Sequence, residues 1–172
     1  MTQITSKICV VGDFAVGKTS VIERFVSNQF SEKYLTTVGV KIDTKELSLA
    51  ERGISVKLII WDVAGTEEFG AKEFAYLRGA TGFIFVVDGT REQTLTSAQN
   101  LREQIREQYG VLPAVLLLNK CDLSGMWRID NEKIEPLRAD FDEVYRTSAK
   151  TGVDVEAALS MLANLIVTQD LR

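Results

Sequence analysis

Apolar residues recur along this chain in two alternating rhythms. Residues 4–11 close on Ile8-Cys9-Val10-Val11, a short apolar run that predicts a strand. Residues 18–27 place Val21, Ile22, Phe25 and Val26 on one helical face. A polar stretch, 28–38, follows as a loop. Residues 40–49 and 54–62 flank Glu51-Arg52-Gly53, a turn signal, and Ile54, Val56, Leu58 and Ile60 alternate with other residues. That spacing predicts a half-buried strand, and the short connection predicts an antiparallel hairpin. Lys41, Asp43 and Lys45 put charge along one face of its first strand, as an exposed edge requires.

The second half keeps the alternation. Phe83-Ile84-Phe85-Val86-Val87, within Gly82 to Asp88, reads as a central parallel strand buried on both faces. Residues 94–109 form a helix with Leu95, Ala98, Leu101 and Ile105 inward. Residues 114–118 form another buried strand, and Pro113 sits where a strand can begin. Residues 130–140 are helical, shortened or broken by Pro136. Residues 144–147 are a last strand, and 153–168 a closing helix with Val155, Leu159, Leu162 and Ile166 inward. With a helix in the 63–81 interval, the order is βαββαβαβαβα. It predicts an α/β three-layer sandwich: a six-stranded, mostly parallel sheet with one antiparallel edge strand and helices on both faces. No linker, repeat or low-complexity tract divides residues 1–172, so one domain is expected. In such sheets a ligand sits at the carboxyl ends of the strands.

Composition narrows the chemistry. The chain has 172 residues, 45% hydrophobic and 26% charged, which suits a globular domain with a sizeable core. A net charge of −4 argues against a broad nucleic-acid surface. Histidine is absent, which excludes imidazole catalysis and histidine metal sites. Two cysteines, Cys9 and Cys121, are too few for a disulfide framework, so a reducing, cytoplasmic compartment is expected. Cys9, in an apolar strand, reads as packing. No apolar stretch is long enough to span a bilayer. Met1-Thr2-Gln3-Ile4-Thr5 is neither a signal peptide nor a myristoylation motif, and Val167 to Arg172 offers no cysteine for prenylation. No intrinsic membrane anchor is expected in this chain.

One contiguous motif points to a ligand. Gly12-Asp13-Phe14-Ala15-Val16-Gly17-Lys18-Thr19 has the form G-x-x-x-x-G-K-[ST] and lies between the first strand and the first helix. Backbone N–H groups of such a loop, with the positive end of the following helix, attract polyphosphate. Gly12 and Gly17 permit the turn and the close approach of backbone to ligand. Lys18 would reach the β- and γ-phosphates, and the Thr19 hydroxyl would ligate Mg²⁺. The plainer alternative is a βα turn with an incidental lysine; the strand before and the helix after favour the phosphate loop. The loop indicates a nucleotide without choosing its base.

Three further motifs each follow a strand. Asp62-Val63-Ala64-Gly65 offers a carboxylate that can hold Mg²⁺, often through water, and a Gly65 N–H for a γ-phosphate. Asn119-Lys120-Cys121-Asp122 offers an acceptor for guanine N1–H and N2–H₂, a donor pair adenine lacks. There Asn119 would fix the loop and the Lys120 stem would lie along the base. Thr147-Ser148-Ala149-Lys150 offers backbone N–H groups for guanine O6, with Ser148 bracing the loop. Each alone could be an ordinary surface turn. All in this order, each after a strand, argue for one guanine-nucleotide site.

On these residues the chain resembles the Ras superfamily of small GTPases, and most the Rab branch. Thr36-Thr37-Val38-Gly39 resembles the first switch of that family, Trp61 to Gly65 with Phe69 the second, and Tyr76-Leu77-Arg78-Gly79-Ala80 a Rab stretch beyond it. The resemblance implies the P-loop NTPase fold and a GTP/GDP switch in signalling or vesicle traffic. It implies nucleotide contacts from Phe14, Ala15, Val16, Gly17, Lys18, Thr19 and Ser20, from Asn119, Lys120 and Asp122, and from Ser148, Ala149 and Lys150. It adds Phe30 against the base, Tyr34 over the phosphates, and Mg²⁺ held by Thr19, Thr37 and Asp62. Lys18, Thr37, Gly65 and Thr66 would then serve hydrolysis. Protein effectors, with exchange and activating proteins, would dock through residues 31–45 and 61–78, where Ile42, Trp61 and Tyr76 form an apolar patch. For Trp61, edge packing is an equal alternative. A monomer is expected, without nucleic-acid partners.

The chain also departs from the family. Thr66 stands where a glutamine usually orients the attacking water, and its shorter hydroxyl cannot span that distance. Phe14 stands where the family has a small residue. Both changes point to slow hydrolysis. Glu67 and Glu68 could help position water, although an acidic first helical turn is the simpler reading. The cysteine-bearing tail of Rab proteins is not in the sequence. Phe14 and Thr66 also motivate the alternative to a slow GTPase, a hydrolysis-deficient, GTP-bound scaffold. An ATP-dependent kinase or transporter shares only the phosphate loop, and Asn119 and Asp122 speak against it.

Overall fold

The computed structural model describes residues 2–31, 39–65 and 69–170. Its six-stranded sheet has the order β2-β3-β1-β4-β5-β6. The strands are β1 (Thr2–Val11), β2 (Val40–Leu49), β3 (Ile54–Val63), β4 (Gly82–Asp88), β5 (Ala114–Asn119) and β6 (Glu143–Arg146). All neighbouring pairs run parallel except β2 and β3, which are antiparallel as the hairpin pattern predicts. The hairpin turn is a short 3-10 segment, Ala50–Arg52, closed by Gly53.

The helices are α1 (Lys18–Ser27), α2 (Ala71–Tyr76), α3 (Gln93–Tyr109), α4 (Asn131–Leu137) and α5 (Val155–Asp170). Period-two alternation in the strands divides the core in two. Ile8, Val10, Ile84, Val86, Val115 and Leu117 face one way and pack on α1 and α5. Cys9, Val11, Phe83, Phe85, Leu116 and Leu118 face the other way and pack on α2, α3 and α4. Each fully buried side chain of this size stabilises the fold by roughly 1.5–3 kcal/mol. β4 and β5 are buried along their whole length, as their continuous apolar runs require.

Two details differ from the sequence reading. α4 spans Asn131–Leu137, shorter than 130–140, because Pro136 has no N–H to extend it. A 3-10 turn, Ser124–Met126, follows β5, where no element was expected. Across the second face, buried Arg102 donates from Nε to Asp140 O (3.1 Å) and from Nη2 to Leu112 O (3.2 Å). It thereby ties α3 to the approaches of β5 and β6. No helix among the described residues is long and apolar enough to cross a membrane.

Candidate functional site

β1 lies between β3 and β4: the chain leaves it for the β2–β3 hairpin on one side and then crosses to β4 on the other, so the connections part at the carboxyl end of β1, where such sheets bind ligands. The glycine-rich loop, 12–17, lies there. Gly17 caps α1 with φ 102°, a left-handed conformation, and a Cβ on it would stand 2.4 Å from Asn119 Nδ2. Gly65 is constrained by space instead: a Cβ there would meet Phe14 N at 2.5 Å. The end of β3 therefore lies directly against the loop.

Side-chain donors hold the loop's carbonyl groups in succession. Lys18 Nζ donates to Gly12 O (3.1 Å) and Asp13 O (2.8 Å). Arg91 Nη2 donates to Phe14 O (2.9 Å), Lys120 Nζ to Ala15 O (3.0 Å), and Asn119 Nδ2 to Val16 O (3.0 Å). With these carbonyls held by side chains, the loop backbone is fixed in place, as a phosphate cradle needs. Ala15 and Lys120 both adopt positive φ, 67° and 71°, at about 1–2 kcal/mol each, and the Lys120–Ala15 bond joins the two strained residues. Burial pushes the Lys18 ammonium down to about 8, with Asp62 and Asp13 opposing the shift. A buried cation at this loop is suited to phosphate, whose charge would raise its pKa back towards the ordinary range.

Thr19 and Asp62, predicted to hold Mg²⁺, come together: Thr19 Oγ1 donates to Asp62 Oδ2 at 2.6 Å. Asp62 is buried at the end of β3. A hydroxyl and a carboxylate oxygen at that separation fit two positions of the oxygen shell of a small, hard cation. Ser20 is half-buried in the first turn of α1, and Phe14 is 52% exposed at the rim of the loop.

The base side is assembled from β5 and β6. Asn119, 1% exposed, accepts from Thr147 Oγ1 (3.2 Å) while donating to Val16 O, so one amide joins three loops. Ser148 Oγ donates to Asp122 Oδ1 (2.8 Å) and accepts from Thr151 N (3.0 Å). This is the brace expected of Ser148. It turns an exposed carboxylate to one side and leaves its other oxygen available to a ligand. Ala149 is buried and Lys150 exposed. Arg24 of α1 donates to Ala149 O (2.8 Å) and also to Lys150 O, holding the backbone that would face guanine O6.

The sequence reading missed Arg24, and it missed Asp88 and Arg91. Asp88, 1% exposed, ends β4 beside β1 and β5. A carboxylate closing an otherwise apolar central strand was a usable signal for it; nothing in the sequence pattern marked Arg91. Tyr34, Thr37 and Thr66, with Glu67 and Glu68, lie outside the described residues. Phe30 follows α1 and is 36% exposed. Ile42 is 52% exposed on β2. Trp61 is half-buried, with its ring centre 6.5 Å from that of Tyr76 and Lys7 Nζ 3.7 Å above it. It therefore takes part in packing while keeping an outer face beside Ile42.

A phosphate loop between β1 and α1, with a strand-end carboxylate and two base-side loops, defines the nucleotide-binding class of α/β proteins. The pattern of the Ras family matches residues 7–168. Ras-related protein Rab-13 of Rattus norvegicus is 37% identical over 163 residues, 94% of this chain and 79% of that protein. Rab-32C of Dictyostelium discoideum is 37% identical over 168 residues, 95% and 74% of the two chains. Human Rab-8B is 36% identical over 167 residues, 95% and 79%. The chain belongs to the Ras family, as a Rab-like small GTPase. Binding of GTP or GDP with Mg²⁺ is general to that family.

Proposed function

We propose that this protein is a guanine-nucleotide switch that binds GTP and GDP with Mg²⁺ and slowly hydrolyses GTP to GDP and phosphate. One observation carries the reading: Asn119 and Lys120 donate to the carbonyls of Val16 and Ala15. The residues suited to a guanine base are thereby fastened to the residues suited to its phosphates. Residues 1–172 act as one domain in this reading.

The amides of residues 14–20 bind the phosphates and Lys18 stabilises charge on the transferring group. Asp122 selects guanine, while Ser148, Ala149 and Lys150 present the O6 side. Phe30 covers the base, and Tyr34 the phosphates. Thr19 would hold Mg²⁺, joined by Thr37 in the triphosphate state and by Asp62 through water, and the ion would supply neutralisation of phosphate charge. Gly65 N–H meets the γ-phosphate. Thr66 is too short to orient water well, so turnover is slow. Switch regions near 31–40 and 64–78 are ordered by the γ-phosphate and relax after its loss, while residues 31–45 and 61–78, with Ile42, Trp61 and Tyr76, meet effectors, exchange proteins and activating proteins. Kinship with Rab proteins supports a role in vesicle traffic, and the free Cys9 and Cys121 suit a cytoplasmic monomer.

The decisive experiment releases and identifies the nucleotide carried by purified protein, then competes a fluorescent GDP analogue with GDP and with ADP. GDP is expected to compete at least ~100-fold better, because adenine leaves Asp122 without its donor pair. Equal competition by ADP or ATP ends the reading. A second reading, a hydrolysis-deficient scaffold, draws on Phe14, whose 52% exposure puts a bulky ring at the loop rim. Single-turnover GTP hydrolysis separates the two: cleavage at the rate in buffer favours the scaffold. A severalfold gain in Thr66→Gln would trace the slowness to the missing glutamine.

A further inference from the structure

The carbonyl of Phe14 is held by a residue with no counterpart in the motifs above. Arg91 lies between β4 and α3. Its Nε donates to Asp88 Oδ2 (3.0 Å), and its Nη2 reaches Phe14 O (2.9 Å), 77 residues away in sequence. A guanidinium is a planar fork with fixed donor directions, so these bonds set the loop position rather than merely tethering it.

Asp88 is built to hold that fork. Its Oδ1 accepts from Thr90 N (2.8 Å) and Thr90 Oγ1 (2.6 Å), which fixes the carboxylate plane. Its Oδ2 accepts from both Arg91 Nε and Lys120 Nζ, the latter at 2.8 Å. Burial works against its charge, but bonds from Lys120, Thr90 and Arg91 outweigh it and hold the carboxyl below its ordinary range. Its own N–H is bound by Thr94 Oγ1 (3.0 Å). One ionised, immobilised carboxylate thus orients two cations that hold adjacent carbonyls, Phe14 and Ala15.

We propose that Arg91 is a positioning residue of the nucleotide site: anchored on Asp88, it fixes the Phe14 carbonyl so that the loop keeps its amides turned to the phosphates, and it thereby slows nucleotide release. This rests on the guanine-nucleotide reading above. It goes beyond it by placing the control of residence time on a side chain outside the residues assigned to base, phosphate and metal. Because Asp88 also orients Lys120, the clamp couples the base side of the site to the phosphate loop through one carboxylate.

The test follows release of a fluorescent GDP analogue from the full chain during a chase with excess GDP. Arg91→Ala is expected to release it ~10- to 100-fold faster, the range implied by loss of a charge-assisted bond. The acceleration should persist in EDTA, because the clamp touches no metal ligand. Arg91→Lys keeps the charge on Asp88 without the rigid fork, and should fall between wild type and alanine. The β-phosphate ³¹P resonance of bound GDP should shift in Arg91→Ala, a change that a loss of stability elsewhere would not cause. If Arg91→Ala folds poorly, Arg91→Lys carries the test alone. Wild-type release rates with an unmoved ³¹P resonance in the variants would overturn the role of Arg91 while leaving guanine binding intact. Failure of wild-type protein to bind GDP would overturn the guanine reading itself, and this role with it.

Discussion

Asn119 joins three loops of the site through one amide, and replacing it should damage stability and ligand binding together. Its amide is 1% exposed, donates to Val16 O at 3.0 Å, and accepts from Thr147 Oγ1 at 3.2 Å. Asn119→Ala removes both partners without admitting bulk water. Each buried polar group left unpaired costs roughly 1–3 kcal/mol, so the pair costs about 2–6 kcal/mol. A domain of this kind has about 5–15 kcal/mol in total. The loss is therefore large but compatible with folding, and urea denaturation of nucleotide-free protein should report it as a lower midpoint with an unchanged slope.

The sign of a second substitution makes the reasoning stricter. Thr147 is fully buried, and in wild type Thr147→Val loses one hydrogen bond, worth about 1 kcal/mol. In the Asn119→Ala background the same change removes an orphaned hydroxyl. It should then be neutral or stabilising. The double-mutant cycle should give a coupling of about 0.5–3 kcal/mol. GDP should rescue the midpoint of Asn119→Ala less than that of wild type, because the freed loop binds phosphate less tightly. Additive losses, or an Asn119→Ala cost below about 0.5 kcal/mol, would refute the claim that this amide fastens the loops together.

Other outcomes follow from the same geometry. Gly17→Ala must either shift Asn119 or abandon φ 102°, so GDP affinity should fall by at least ~10-fold, as measured by equilibrium titration. Lys7 Nζ donates to Tyr76 O and Arg78 O, each at 2.7 Å, and so closes the end of α2. Lys7→Met should speed tryptic cleavage near Lys72 and Arg78 severalfold, as read by mass spectrometry. Cys9 is fully buried and its thiol is pushed from 9.0 up to about 12 by burial, opposed by Lys7. At pH 8, Cys121 should react with a thiol reagent in native protein and Cys9 only after unfolding. Because the folded thiol holds its proton to higher pH than the unfolded one, its stabilisation is full below pH 9 and is lost as pH rises towards 12. The loss is up to about 4 kcal/mol, and comparison with Cys9→Ala in alkaline denaturation isolates it.

Much of this protein is legible in sequence because its chemistry lies in contiguous motifs at strand ends. The alternation of Ile54, Val56, Leu58 and Ile60 and the unbroken run Phe83–Val87 are burial patterns. They identify the strands, and the faces they bury, before any coordinate is known. Lys18, Thr19, Asp62, Asn119 and Asp122 stand out as candidates because a phosphate, a cation and a guanine edge each require particular donors and acceptors. Pro136 predicts a shortened helix, and α4 ends one residue beyond it, at Leu137. What the sequence hides is what holds those groups still. Asp88, Arg91 and Lys120 meet only when β4 and β5 lie side by side, and Arg24 reaches the 149–150 backbone only when α1 packs near α5. Such bonds join residues far apart in the chain and follow no spacing rule.

That division bears on how the site works. The residues that would touch nucleotide are constrained by the ligand. Those that hold the loop are constrained only by backbone carbonyls, which every residue type possesses. An arginine on Phe14 O can therefore arise, or be lost, without altering any motif, and the loop it positions would still match the family pattern. Two Ras-family chains with the same phosphate loop can then differ in how long they keep their nucleotide. In this chain the difference is located at Asp88, where one carboxylate serves the cations on Phe14 and on Ala15. Neutralising it in Asp88→Asn should loosen both at once. Its effect on GDP release should equal or exceed that of Arg91→Ala, and adding Arg91→Ala to it should change little. Independent, multiplying effects would show that Arg91 acts on the loop without the carboxylate.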